Sequence, residues 1–411
     1  MQLYHRVFAA ICVFTPLLYI YWRKLTTPDA VGIFRGRSPT EDVFNNTLSF
    51  SKIFVINLPS RTDRRDAMAL SGAVSNLTFT WIGGVSGEQA TGGKGRSSGA
   101  KGSWRSHMNA LRTIVSDDIR SALVVEDDID WDIRIKSQLQ TFASASRTWL
   151  KESKFDKRQE LLDYVPPSLL KKGDSTTMAI DSDENTIRLN PSARIDNKPH
   201  ESVYGDDWDV LWLGHCGADL PDAQAQVSPL RVAILGDETV PSPKHLKPHP
   251  FALKDKLGEI YPPHTRVVHA SSGNVCSLAY AVSFQGARKL LSEFERNYDK
   301  QWDLMLQKWC EGGYIPKEKP QSGSEPDSEG ARVVRQQEKP PICLTVQPPL
   351  FSHHYAKGGA SDIQGQGGGY AKGTGTPYIR FSVRENLRRL VTGATVSELV
   401  DQLPDDGKTI W

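Results

Sequence analysis

Between residues 52 and 150 short apolar runs alternate with helical periodicities, and this alternation is the tightest constraint on the fold. Lys52-Ile-Phe-Val-Ile-Asn57 is an apolar run of strand length, ended by Leu58-Pro59. Residues 62–74 form a helix, with Thr62 as N-cap and Asp63 and Asp66 in its first turns. Residues 77–82 make a second short strand. Residues 83–102, rich in Gly and Ser, make a long loop. Met108, Leu111, Ile114 and Val115 recur near the 3.6-residue period and predict a helix over 103–115. Ala122-Leu-Val-Val125 is a fully apolar strand, and residues 133–150 form the next helix. Strand and helix alternating at such short intervals predict βαβ units. The fold class is α/β, with a mostly parallel sheet flanked by helices.

Past residue 150 the pattern is interrupted. Residues 151–207 are polar, carry Pro166-Pro167 and read as an insertion; residues 219–263 read as a second, Pro-rich one. Between them Trp208-Asp-Val-Leu-Trp-Leu213 returns to strand. Residues 277–283 are a strand, followed by a helix through Leu290, Leu291 and Phe294, and Asp303 opens a further short helix. Residues 317–340 read as disordered, 342–346 as strand, 358–375 as a Gly-rich loop and 383–391 as an amphipathic helix with basic residues. Hydrophobic residues at 38 % and charged residues at 24 % are ordinary for a globular chain. They exclude a wholly disordered, a polytopic membrane and a collagen-like chain. A net charge of +2 gives no reason to expect nucleic acid as partner. The 411 residues allow two or three domains, and one large α/β domain with long insertions fits equally well. Of the five cysteines none forms a CxxC pair, which argues against structural zinc. Cys216, Cys276, Cys310 and Cys343 are either two disulfides or four buried thiols.

Residues 7–22 (VFAAICVFTPLLYIYW) carry no charge and lie between Arg6 and Arg23-Lys24. As a helix they would reach ~24 Å at 1.5 Å per residue, a length suited to the thinner endoplasmic reticulum or Golgi bilayer. Tyr19, Tyr21 and Trp22 stand where an interfacial belt would, and no small-x-small cleavage site follows. The segment reads as an uncleaved signal-anchor, with residues 1–6 a short cytoplasmic tail, 23–50 a stem and 51–411 the folded domain. The basic excess after the segment mildly opposes a lumenal C-terminus. Asn45-Asn46-Thr47 and Asn76-Leu77-Thr78 are N-glycosylation sequons, about as many as chance supplies in a chain of this length.

The strongest chemical signal is Glu126-Asp127-Asp128-Ile129-Asp130, which runs straight on from the Leu-Val-Val strand. Ligands of open α/β sheets bind outside the carboxyl ends of strands. Four carboxylates in five residues repel one another unless cations hold them. Hard oxygen donors in a D-x-D spacing suit Mg²⁺ or Mn²⁺ bridging nucleotide phosphates. The bland alternative is a solvated acidic turn capping the next helix. Arg61, Arg64 and Arg65 follow the first strand and would put phosphate-binding charge on the same rim. His107 beside Ser106 could face the site. Ser352-His353-His354 offers a distant metal ligand, and Asp303 is a lone carboxylate that could simply cap its helix.

In order, Val55-Ile-Asn-Leu58 with Arg61 and Arg64-Arg65, Gly102-Ser-Trp-Arg-Ser-His107 and Ala122-Leu-Val-Val-Glu-Asp-Asp128 resemble glycosyltransferase family 25. This family includes bacterial lipopolysaccharide glycosyltransferases and collagen β-galactosyltransferases. Trp208-Asp-Val-Leu-Trp-Leu-Gly214, Ala279-Tyr-Ala-Val-Ser283 with Gly286-Ala287, and Asp303 extend the resemblance, which covers roughly residues 52–354. The chain departs from the family pattern at Gly102-Ser103, where Gly-Cys is frequent, and in the loop at 83–87. The resemblance implies a GT-A-like, Rossmann-type fold and a UDP-sugar donor, with UDP-galactose foremost. It implies Mn²⁺ (or Mg²⁺) held by Asp128 and Asp130, with His353 or His354 completing the contacts. It places Asn57, Arg61, Arg65, His107, Glu126 and Asp127 around the donor nucleotide, and Asp303 as the base if transfer inverts the anomeric centre. The acceptor would be a glycan or glycoprotein, and the domain lumenal in a type II Golgi or endoplasmic reticulum membrane protein. A non-catalytic glycosyltransferase-like binding or chaperone protein and a metal-dependent phosphohydrolase are the rival readings.

Overall fold

The computed structural model describes residues 39–90, 97–154, 185–189, 202–221, 227–249, 252, 255–315, 340–356 and 374–410. The apolar segment at 7–22, most of the first insertion, residues 316–339 and residues 357–373 lie outside the described residues. Among the described residues no helix is long and apolar enough to cross a membrane. Residues Thr40–Trp411 form one compact unit.

In chain order the unit contains β1 (Lys52–Asn57), α1 (Thr62–Val74), β2 (Thr80–Gly83), α2 (Ser98–Ser116), β3 (Ser121–Glu126), β4 (Ile129–Trp131), α3 (Ile135–Lys154) and β5 (Thr186–Arg188). There follow β6 (Val210–Gly214), β7 (Arg231–Ile234), α4 (Leu257–Ile260), β8 (Arg266–Ala270), β9 (Ala279–Ser283), α5 (Phe284–Arg296) and α6 (Trp302–Cys310). Last come β10 (Cys343–Gln347), β11 (Phe351–His353) and α7 (Val383–Val391).

One sheet collects the strands in the order β2-β1-β3-β9-β6-β10-β8-β7-β5, with β11 and β4 off its edge path. β1 pairs in parallel with β2 and with β3. Only β9 and β8 run against the other strands of that path. The fold is therefore a mixed α/β one, with a large, mostly parallel sheet between helices. Alternate side chains along a strand point to opposite faces, and β1 and β3 use this to build two cores. Ile53, Val55, Leu123 and Val125 face one core with Leu139 and Phe142 of α3. Phe54, Ala122 and Val124 face the other, with Met108, Leu111 and Ile114 of α2, Leu290 and Phe294 of α5, and Trp302 of α6. Strands buried on both faces read as unbroken apolar runs, which is why these were visible in sequence.

The structure changes several sequence expectations. The N-cap of α1 is Arg61, with no side-chain cap, and Thr62 is already helical. Helix α2 begins at Ser98, inside the expected loop, because Ser97 caps it by accepting from Ala100 N. Its Gly102 packs against the carbonyl of Val85 so closely that a Cβ there would collide with it. The two insertions are not wholly excursions: β5 lies in the first and β7 in the second. β8 lies outside the strands expected from sequence, because Arg266 and His269, both buried, break its apolar run. Arg266 is accommodated by Asp237 at 2.7 Å and by the carbonyl of Pro348 at 2.6 Å. The end of the expected stem is core: Val43, Leu48 and Phe50 are buried, and Phe50 stacks on Tyr204 with ring centroids 4.7 Å apart.

The four cysteines form two disulfides, Cys216–Cys276 and Cys310–Cys343. The second ties α6 to β10.

Candidate active site

The parallel register pairs Ile56 of β1 with Glu126 of β3, so Asn57 and the carboxylate turn emerge at the same sheet edge. After Asp128 the chain enters β4, which lies antiparallel to β11 with Ile129 opposite His353 and Asp130 opposite Ser352. This pairing brings a residue more than two hundred positions away onto the turn. His353 Nε2 lies 3.2 Å from Asp128 Oδ2. The next backbone amide, from His354, donates to the Asp128 carbonyl.

Each acidic residue of the turn has a different environment. Asp127 accepts from Asn57 Nδ2 and from Arg64, both at 2.8 Å. The same Arg64 nitrogen lies 2.8 Å from Asp128 Oδ2. Burial pushes the Asp128 carboxyl up, but His353, Arg64 and Arg384 together hold it well below the usual carboxylate range. Its other oxygen, Oδ1, is buried with no hydrogen-bond partner, and so is Nδ1 of His353. Glu126 is raised well above its ordinary value, first by burial and then by the charges of Asp128, Asp127 and Asp303. Ser277 Oγ reaches Glu126 at 3.4 Å.

Asp130 does not join this group. It is completely buried. One oxygen accepts from Trp131 N and Arg384 N, at 2.8 and 3.2 Å. The other accepts from Thr376 Oγ1 at 2.6 Å and from Ser382 Oγ. The expected Asp128–Asp130 metal pair is therefore not formed: Asp128 sits in the turn, whereas Asp130 sits within β4 and is fully engaged by protein donors. His354, the other histidine considered, faces Asp130, with Nδ1 at 3.8 Å from it.

The arginines also divide differently from the expectation. Arg64 reaches the carboxylates. Arg61 pairs with Asp63 two residues on, at 2.9 and 2.8 Å. Arg65 lies over the Trp81 ring, 4.4 Å from its centroid. His107 is buried behind Glu126, its Nε2 3.8 Å from the carboxylate. It stacks on Trp302 at 4.6 Å with an interplanar angle of 3°, and its Nδ1 pairs with Tyr280 Oη at 3.1 Å. Burial pushes its pKa down to about 3, so the ring is neutral. Asp303, in the first turn of α6, accepts from Cys276 N at 2.9 Å, and its charge is felt at Glu126.

Sequence reading missed the C-terminal contribution. Arg384 of α7 donates to the carbonyls of Ile129 and Asp127, both at 2.8 Å. Ser382 caps α7 by accepting from Glu385 N at 3.0 Å. The signal was present: Ser382-Val-Arg-Glu385 is the S-x-x-E pattern of a helix start. Nothing in it pointed to the turn at 127–130.

Among the described residues no group of three or more His, Cys, Asp and Glu side chains is arranged to hold a metal ion. The nearest approach is the pair Asp128 and His353, with Glu126 on the same rim.

No curated protein matches the chain. Residues 50–171 match a family model described as glycosyltransferase family 25 (LPS biosynthesis protein). The matched span starts just before β1 and runs past α3, so it contains Asn57, the arginines, His107 and the whole carboxylate turn. The resemblance seen in the motifs and the match to the family model agree over residues 50–171, and together they support a glycosyltransferase.

Proposed function

We propose that this transferase moves a hexose, galactose foremost, from a UDP-sugar to a hydroxyl of a glycan or glycoprotein in the secretory pathway, on a GT-A-like fold. The observation that carries the proposal is the turn at the end of β3. There Asp128 and His353 meet at 3.2 Å, and each keeps one buried polar atom without a partner. The carboxylate suits Mn²⁺ or Mg²⁺, and the imidazole favours Mn²⁺ of the two, with the remaining positions open to phosphate oxygens. Asp128 and His353 would hold the ion, with Glu126 as a third donor, and Asp130 would not. Such an ion, when bound, offsets the charge of the diphosphate and stabilises UDP as leaving group.

The remaining chemistry belongs to the chain. Arg64 supplies the positive charge on this rim, held in place by Asp127, which Asn57 fixes from the other side. His107, neutral and stacked, backs Glu126 without adding charge. As an oxygen of the acceptor bonds to the anomeric carbon, the bond from that carbon to UDP breaks, and Asp303 takes the hydroxyl proton. Two disulfides support an oxidising compartment. Residues 7–22 would anchor the chain as a type II protein of the Golgi or endoplasmic reticulum.

A donor screen tests the proposal. The purified chain is incubated with Mn²⁺ and each UDP- and GDP-sugar in turn, and nucleotide release is measured with and without chelator. Chelator-sensitive UDP release from one UDP-sugar is expected. Binding without release would favour a non-catalytic relative, and release of free phosphate a phosphohydrolase.

A further inference from the structure

The two sequons, 31 positions apart in the chain, adjoin in the fold. Asn46 Nδ2 donates to Thr78 Oγ1 at 2.9 Å, and Thr78 N donates to the Asn46 carbonyl at 2.8 Å. Lys136 of α3 braces both segments, donating to the carbonyls of Phe44 and Asn76. Asn45 and Asn76 are both exposed, and neither lies in a helix or strand. Among the described residues neither side-chain nitrogen has a hydrogen-bond partner. Asn45 uses only its oxygen, which accepts from Thr47 N, Thr47 Oγ1 and Ser49 N. Asn76 follows α1 in a left-handed conformation with φ of 51°, one that Asn tolerates and that turns its side chain out of the helix line.

The place matters as much as the exposure. Asn45 precedes β1, and Asn76 follows α1, which returns antiparallel beside it. Both therefore lie at the amino end of β1, while Asn57 and the carboxylate turn lie at the other. Six strand residues separate the two ends by about 20 Å.

We infer that Asn45 and Asn76 together form a doubly N-glycosylated patch at the amino edge of β1, pointing away from the reactive rim. The inference rests on the secretory placement proposed above. The modification is a group transfer from a polyprenyl-diphosphate-linked oligosaccharide. Nδ2 bonds to the anomeric carbon, the bond from that carbon to phosphate breaks, polyprenyl diphosphate leaves with the electron pair, and Nδ2 loses one proton. The amide oxygen is untouched, so the three hydrogen bonds to Asn45 persist in the modified chain.

The full chain is expressed in eukaryotic cells, denatured, treated with an amide-cleaving endoglycosidase and compared by electrophoresis with Asn45→Asp and Asn76→Asp. Aspartate keeps the oxygen acceptor at 45 and tolerates the left-handed backbone at 76, but cannot be glycosylated. Two steps of mobility are expected for the parent, one for each single variant and none for the double variant, which retains its melting temperature and UDP release. A parent band that does not move, or moves by one step, overturns the inference. If the band does not move, thiol labelling separates two failures. Blocked Cys216 and Cys276 mean that the glycan inference alone has failed, and reactive thiols mean that the secretory placement has failed with it.

Discussion

Asp128 and Asp130 are two residues apart in one acidic run, yet the protein treats them in opposite ways. Asp130 receives four hydrogen bonds from the chain, two on each oxygen. Asp128 meets Arg64 and His353 on one oxygen and nothing on the other. A buried carboxylate with every lone pair engaged is a structural part. One with a buried bare oxygen has capacity left for a further partner, the role proposed above for Asp128. The D-x-D spacing suggested one site for both, but the first Asp lies in a turn and the second in a strand, and their partners come from different parts of the chain.

Substitution at each position should register this difference in different measurements. Asp128→Asn is expected to lower kcat for sugar transfer by about 10²–10³, with the urea midpoint little changed. A collapse of stability instead would put Asp128 in the same class as Asp130. Asp130→Ala strands the hydroxyls of Thr376 and Ser382 and should cost about 3 kcal/mol in chemical denaturation. Turnover should fall only as far as the folded fraction falls. Arg384→Met removes donors to two backbone carbonyls on either side of Asp128, at a cost of about 2 kcal/mol. Because those carbonyls position the turn, it should also raise the Mn²⁺ concentration needed for half-maximal activity, which Asp130→Ala should not do in the folded fraction.

A pH series probes the neutral side of the site. His107 stays unprotonated in the fold down to about pH 3, while in the unfolded chain it titrates near its ordinary value of about 6.5. Between these values the unfolded state binds one more proton, so stability falls as pH drops from 6.5. His107→Gln should flatten that limb by about 1.4 kcal/mol per pH unit and leave stability above pH 7 without this slope. The smallest effect is expected from Arg61→Ala. Its partner Asp63 is largely exposed, and loss of such a pair costs about 0.5 kcal/mol or less. A large rise in the donor KM for this variant would restore Arg61 to the phosphate role that the sequence suggested.

The half of the molecule legible in sequence is the half where burial is uniform. β1, β3 and β6 show as apolar runs because both faces are covered, and α2 shows through its stripe of Met108, Leu111 and Ile114. β8 has no clear signature in sequence because it buries Arg266 and His269, which partners elsewhere in the chain, among them Asp237, Pro348 and Gln347, make tolerable. The same reason limits the reading of the site. Glu126 to Asp128, Arg64 and His353 are all legible, since each is a conspicuous residue at a strand end or in a short motif. That Arg64 rather than Arg61 or Arg65 reaches the carboxylates depends on the phase of α1, fixed one residue from where the sequence put its cap. Arg384 and Thr376 carried no local sign, because their function depends wholly on a contact with a distant part of the chain.

That contact also sets an order in time. Thr376 lies 246 residues after the Asp130 carboxylate that it bonds. At typical synthesis rates of 5–20 residues per second, about 10–50 s pass before Thr376 exists. Through most of that interval the acidic turn has β1 and β3 beside it but neither His353 nor α7. A nascent chain therefore cannot assemble Asp128 with its imidazole until residue 353 has been made, and a chain that stops before it lacks this pair however well its first strands have paired.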